Sequence, residues 1–233
     1  MKVGLRMKKI NSHFISSSTE QQYSFMTERF RAIMTNLQFM KTEKHEAIKS
    51  IVLTSAHKSE GKSFCALNLA VSFAKQNKKV LLVDADMHKP KLTGQFRLRY
   101  EEGLSTILSN SEGPLEKVLE TEETNLYFLP AGLIPPNPLE LINTDRMKEI
   151  ISIYEEAFDI VIFDTPPILI MNDSRILGSF CDGAVLVVRN GKTKKRDIEI
   201  AKEMLERTEG RLIGAILNGK KYAARELKNY SYY

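Results

Sequence analysis

The octapeptide Ala56-His57-Lys58-Ser59-Glu60-Gly61-Lys62-Ser63 lies between an apolar run, Ser50-Ile51-Val52-Leu53-Thr54, and a helix-forming stretch from Ser63 to Lys75. A buried strand that turns through such a loop into a helix is the setting of a phosphate-binding loop. Its backbone N–H groups, together with the positive end of the following helix, form a site for phosphate oxygens. Gly61 lets the chain pass close to those oxygens, Lys62 supplies a mobile cation for the β- and γ-phosphates, and the Ser63 hydroxyl suits Mg2+. Ser59, Glu60, Gly61, Lys62, Ser63 and Phe64 are therefore assigned to contact a nucleoside triphosphate. Two positions depart from the usual pattern: Ala56 replaces its first glycine, and Ser59 stands where a second glycine is common.

Two further apolar runs end in acids. Lys79–Val83 leads into Asp84-Ala85-Asp86, and Ile160–Phe163 leads into Asp164-Thr165-Pro166-Pro167. Ligands of an open parallel sheet gather at the carboxyl ends of its strands, so Asp84, Asp86 and Asp164 are expected to converge on the loop. A carboxylate there either holds Mg2+, directly or through water, or takes a proton from an attacking hydroxyl.

From Ile48 onward, strand-like runs near 125–129, 183–188 and 212–217 alternate with helical stretches near 138–156 and 193–208. That order predicts an α/β P-loop fold, a mostly parallel sheet flanked by helices on both faces. The segment Ile134-Pro135-Pro136-Asn137-Pro138 is expected to be rigid and neither helix nor central strand. Phe25 to Met40 places Met26, Phe30, Ile33, Leu37 and Met40 on one helical face, while residues 1–24 read as a loose arm. The chain divides into an N-terminal arm and helix (1–45), a P-loop domain (46–220) and a flexible Tyr-rich tail (221–233).

Composition narrows the classes. With 233 residues and 42% hydrophobic content the chain can bury one substantial core. The net charge of +5 is spread through intermixed acids and bases, with Lys192-Thr193-Lys194-Lys195-Arg196 the densest basic run, read as a solvated face. Without aromatic-interleaved basic surface, no nucleic acid is expected. Cys65 and Cys181 read as core residues of a reducing compartment, and His13, His45, His57 and His88 lack ligand spacing, so no zinc site is expected. Apolar runs are interrupted by Asp159, Asp164 and Asp173 well before they could span a bilayer, which predicts a cytoplasmic protein. Four of the eight tyrosines, Tyr222, Tyr230, Tyr232 and Tyr233, fall in the last twelve residues among Lys220, Lys221, Arg225 and Lys228. So polar a segment has little to bury and is expected to be mobile.

In order, the motifs Ser-Ala-x-x-x-Glu-Gly-Lys-Ser, Val-Leu-Leu-Val-Asp-Ala-Asp-x-x-Lys-Pro, Ile-Pro-Pro-Asn-Pro and Asp-x-Val-Ile-Phe-Asp-Thr-Pro-Pro, closed by a tyrosine cluster, resemble the bacterial tyrosine kinases. These are P-loop enzymes of capsule and exopolysaccharide production; the His-Arg-Asp and Asp-Phe-Gly signatures of eukaryotic-type kinases are absent. The resemblance runs from about Glu28 to Tyr233. It implies an ATP- and Mg2+-dependent tyrosine kinase that phosphorylates its own tail in trans at Tyr222, Tyr230, Tyr232 and Tyr233. Lys62, Asp84, Asp86 and Asp164 would be the catalytic set. Ser63, Asp86 and Asp164 would hold the metal, with Asp84 the candidate base, although sequence does not separate base from metal ligands. Asn218 would meet the adenine ring, a position that an Asn-Gly turn explains equally well.

The implied partners are protein substrates, further copies in a ring-like or smaller homo-oligomer, and a separate membrane-embedded activator. In the split, Firmicutes-type form the activator recruits the kinase to the inner face of the membrane. The chain departs from the resemblance at His88, where Asp-x-Asp-x-Arg has arginine, and at Met34, where Glu-x-x-Arg-x-x-Arg has its second arginine. Two other readings stay open. A partition-type ATPase of the same fold would carry a lysine at the position of His57, and Lys58 is one place too late. An ATP-binding scaffold would bind nucleotide without tyrosine transfer.

Overall fold

Strands buried on both faces, with side chains directed alternately to the two sides, explain the layering of the molecule. The computed structural model describes residues 20–43, 45–98, 101–110, 113–208 and 210–222, with side chains from Ser24 onward. Its elements are α1 (Glu20–Phe39), β1 (Ser50–Ser55), α2 (Lys62–Ala74), β2 (Val80–Asp84), α3 (Lys91–Gln95), α4 (Leu104–Ser109), β3 (Leu119–Glu120) and β4 (Leu126–Leu129). These are followed by α5 (Pro138–Ile142), α6 (Asp145–Ala157), β5 (Ile160–Asp164), α7 (Asp173–Phe180), β6 (Gly183–Arg189), α8 (Lys195–Glu206) and β7 (Leu212–Asn218). The strands form one sheet in the order β3-β4-β2-β5-β1-β6-β7. Every pairing is parallel except that of β3 with β4.

Strands covered on both faces read as unbroken Val/Ile/Leu runs, and β1, β2 and β5 are buried throughout. Their side chains separate with period two. Ile51, Leu53, Leu82 and Ile162 join the apolar layer under α1 and α2. Val52, Leu81, Val83, Val161 and Phe163 join the opposite layer, under α6, α7 and α8. From β1 the chain passes to α2 on one face, and from its neighbour β5 it passes to α7 on the other, which opens a crevice between them at the carboxyl ends.

α1 begins at Glu20, inside the stretch expected to be a loose arm. Glu20-Gln21-Gln22 are good helix formers. Phe30, Met34 and Leu37 are buried in the same layer as α2 and the sheet, with Met26, Ile33 and Met40 packed against it. Met34, the position where the resemblance has an arginine, is only 3% exposed. A guanidinium there would be desolvated, so the residue has become a packing contact.

The helix expected over 138–156 is two helices. α5 stops at Ile142, and Thr144 in extended backbone starts α6 by accepting the Met147 N–H at 3.3 Å. Pro138 is the first residue of α5, where its missing N–H costs nothing, so only 134–137 of the proline segment are irregular. β3, α3 and α4 are too short to show a period in the sequence. Tyr230, Tyr232 and Tyr233 lie outside the described residues.

Burial of Met34 predicts that Met34→Ala will cost about 2–5 kcal/mol in denaturant unfolding, whereas Met34→Leu will cost less than about 1.5 kcal/mol. Equal, small losses would mean that α1 does not pack as described.

Candidate functional site: a clamped phosphate loop over a lysine–carboxylate cluster

The loop between β1 and α2 is held by its own side chains. Gly61, which precedes α2, is left-handed at φ 95°, and a Cβ there would come within 1.9 Å of Asn218 Nδ2. Only glycine meets both demands. Ser59 is also left-handed, at φ 65°, which accounts for the glycine common at that position. The Glu60 carboxylate accepts the His57 N–H at 3.1 Å and the Thr193 hydroxyl at 2.5 Å. Its carbonyl accepts Asn218 Nδ2 at 2.8 Å. His57 Nε2 meets Asp197 Oδ2 on α8 at 3.0 Å. The Glu60 side chain is thus a fastening that does not line the cavity, and Asn218 ties the end of β7 to the loop.

Beneath the loop, Lys62 Nζ lies 3.1 Å from Asp86 Oδ2 and 3.4 Å from Asp164 Oδ1, with the three side chains 8%, 6% and 0% exposed. Burial alone would lower the lysine pKa, but Asp164 and Asp86 outweigh it and hold the ammonium above its ordinary range. Burial drives Asp164 upward against the opposing pull of Lys62. Asp84 is the register partner of Asp164 across β2 and β5. It accepts the Thr93 N–H at 2.8 Å and the Asp86 N–H at 3.3 Å. Burial, and next the charge of Asp164, push its carboxyl up to about 8.

Sequence therefore brings Lys62, Asp84, Asp86 and Asp164 together, but of the three acids only Asp86 lines the adjoining cavity of about 1200 Å³. Ser63 Oγ and Asp164 Oδ2 are buried without a hydrogen-bond partner. Orphaned oxygens beside a second carboxylate fit a hard cation that keeps several waters and shares phosphate ligands.

Other assigned residues lie at the margins. Phe64 lines this cavity and a second of about 650 Å³, which Asn218, Phe25 and Tyr222 also line. His88 Nε2 lies 3.0 Å from Oδ1 of the buried Asp173, so an acid from α7 orients the residue that replaces the arginine. Tyr222 is packed edge-on against Phe25 with ring centroids 4.8 Å apart, and Arg29 and Lys220 lie 5.7 and 4.9 Å from its ring. Cys65 is buried, its thiol pushed up to about 12 by desolvation, and Cys181 is partly buried; both are free. Sequence reasoning missed Thr93, Asp173, Thr193 and Asp197. Thr193 lies within, and Asp197 directly after, a basic run that reads as solvated, and nothing local ties them to a loop more than 130 residues earlier.

A family model described as an AAA domain matches residues 48–193. The tyrosine-protein kinase YwqD of Bacillus subtilis (strain 168) is 44% identical over 210 residues, which cover 90% of this chain and 87% of that relative. The crystal structure of the chimerical protein CapA2B2 superposes with a TM-score of 0.80 at 36% identity, covering 87% of this chain and 88% of that one. The septum site-determining protein MinD of Pyrococcus horikoshii, solved with Mg-ADP, superposes at a TM-score of 0.63 and 20% identity over 78% of this chain and 76% of its own, a likeness of fold alone. Loop, acids and relatives agree, and the chain belongs to the bacterial tyrosine-protein kinases.

Proposed function

We propose that the chain transfers the γ-phosphoryl group of ATP to tyrosine hydroxyls, those of its own tail in trans among them, as part of capsule or exopolysaccharide production. The observation that carries this is Lys62, held between Asp86 and Asp164 under a clamped phosphate loop, beside a cavity with room for a second reactant. Phosphoryl transfer asks the protein mainly for positioning and charge neutralisation. The loop N–H groups and the start of α2 receive the phosphates, and Lys62 turns from its carboxylates to the β/γ oxygens. Ser63 and Asp164 would hold Mg2+, joined by Asp86 where Asp84 is the base, and the ion would neutralise charge on the same oxygens. Phe64, which lines both cavities, and Asn218, which lines the second, are the residues we assign to the adenine base.

Proton removal from the phenol, whose ordinary pKa is about 10, falls to Asp84 or Asp86. Asp84 has the proton affinity, with its carboxyl at about 8, whereas Asp86 has the access. Asp84 also holds the Asp86 peptide, so it positions that residue in either case.

No helix among the described residues is long and apolar enough to cross a membrane. We assign the chain to the cytoplasm, with a separate membrane-embedded activator recruiting it to the inner face, and with self-association in a ring-like or smaller homo-oligomer. Protein substrates other than the tail complete the reading. Hydrolysis without transfer, as in a partition-type ATPase, would release phosphate and leave every tyrosine unmodified.

Lys62→Met is expected to reduce phosphotyrosine formation on the order of 10²–10³-fold in a radiolabel assay. Loss of the base should lower kcat by roughly 10²–10⁴ with nucleotide affinity little changed. Whichever of Asp84→Asn and Asp86→Asn instead shifts the Mg2+ dependence is the metal ligand. Thr193→Val strips a hydrogen bond from the Glu60 carboxylate, so nucleotide affinity by titration calorimetry should fall about tenfold with the fold intact. Incubation with ATP and Mg2+, followed by mass spectrometry, should find phosphate on Tyr230, Tyr232 and Tyr233 before Tyr222, which must first leave Phe25 and Arg29. Inorganic phosphate with unmodified tyrosines would overturn the kinase reading.

A further inference from the structure

The cavity beside the loop has a mixed lining. Lys62, Ser63 and Asp86 supply polar groups to it, and Ile134, Pro166, Pro167 and Ile170 supply apolar surface. Ile134 is 65% and Ile170 51% exposed, an apolar surface open to solvent at the mouth of a polar site. Flat aliphatic and pyrrolidine surfaces of this kind suit an aromatic ring with its hydroxyl directed to polar groups. The volume, about 1200 Å³, exceeds the usual range for a single small ligand, about 300–1,000 Å³.

Lys58, Lys89 and Lys91 also line this cavity, and all three are exposed. Asp86 and Asp164 are engaged by Lys62. None of the three exposed ammonium groups has an acidic partner among the described residues; Lys89 is tied only through its backbone N–H, to Asp86 Oδ1 at 3.0 Å. A cluster of one sign beside a concave site attracts ligands of the other sign and repels its own.

We infer that Lys89 and Lys91, supported by Lys58, select the acceptor: the apolar surface takes the tyrosine ring, and the lysines favour a protein segment whose tyrosine lies beside an anionic residue. The inference rests on the cavity being the site of tyrosine transfer. It has a consequence for the chain's own tail, where Lys220, Lys221, Arg225 and Lys228 stand against a single acid, Glu226. Such a segment is a poor first acceptor. Once one tyrosine of the Tyr230-Ser231-Tyr232-Tyr233 cluster carries phosphate, its neighbours gain the anion that the lysines favour, so modification proceeds in a run.

The test uses the full chain with ATP and Mg2+ on peptides holding one tyrosine flanked by Glu, Ala or Lys, plus a peptide with a phosphotyrosine two residues before the acceptor. The wild-type chain should prefer the Glu peptide over the Lys peptide in kcat/KM on the order of tenfold, through KM, and the ratio should shrink as salt rises. The phosphotyrosine peptide should surpass its unmodified counterpart. Lys89→Glu/Lys91→Glu should invert the Glu/Lys preference while leaving the KM for ATP in place. Lys91→Gln, a milder change, should reduce the preference if the double variant fails to fold by circular dichroism. Equal use of all peptides, a preference that the variants retain, or no gain from phosphotyrosine would overturn the inference. A KM for ATP that rises in step with that for the peptide would also overturn it, placing the lysines on the nucleotide. If ATP binds and neither peptide nor tail is phosphorylated, the kinase reading itself fails and the inference goes with it.

Discussion

A lysine ammonium buried between two carboxylates is the constraint around which this molecule is arranged. Removing three charges from water costs several kcal/mol per ion, and the arrangement survives only where geometry and further hydrogen bonds offset that cost. Here β2 and β5 run side by side in register, so Asp84 and Asp164 arrive at the same level, and Ala85 N–H bonds the Asp164 carbonyl at 2.8 Å. Lys62 comes from the adjacent strand-to-helix turn. The parallel order of the three central strands is thus what gathers the charges, and the two apolar layers make the site dry enough for them to act strongly on one another.

The loop above this cluster is secured from elsewhere in the chain. Thr193 follows β6, Asp197 lies in α8 and Asn218 ends β7, yet all three hold residues between His57 and Glu60. Phosphate binding at a loop depends on N–H groups already pointing inward, and cross-ties of this sort supply the order beforehand. The Glu60 side chain serves this purpose from within the motif itself. A residue inside a phosphate-binding signature need not touch phosphate.

Much of this was legible in the chain because the relevant signals are local. β1 with its loop, the Asp-terminated β2 and β5, and the alternation of strand and helix can each be read from short windows. α1 began early because polarity at Glu20-Gln21-Gln22 reads as arm although those residues favour helix. The break at Asn143-Thr144 is short enough to pass for the polar face of one continuous helix, and the cap geometry of Thr144 reveals it. Contacts that orient the site, Thr93 to Asp84, Asp173 to His88 and Thr193 to Glu60, join residues from different elements, and no spacing rule finds them. Met34 shows the same limit: a missing arginine is visible in the sequence, but its replacement by a core contact is visible only once α1 is seen against α2.

Asn218 touches the loop through Glu60, and only four residues later Tyr222 is wedged against α1. On the proposed function, the loop that receives the phosphates and the root of the segment whose tyrosines we assign as acceptors are therefore fastened to one another by a single short stretch of chain. Donor site and acceptor tether are joined in series.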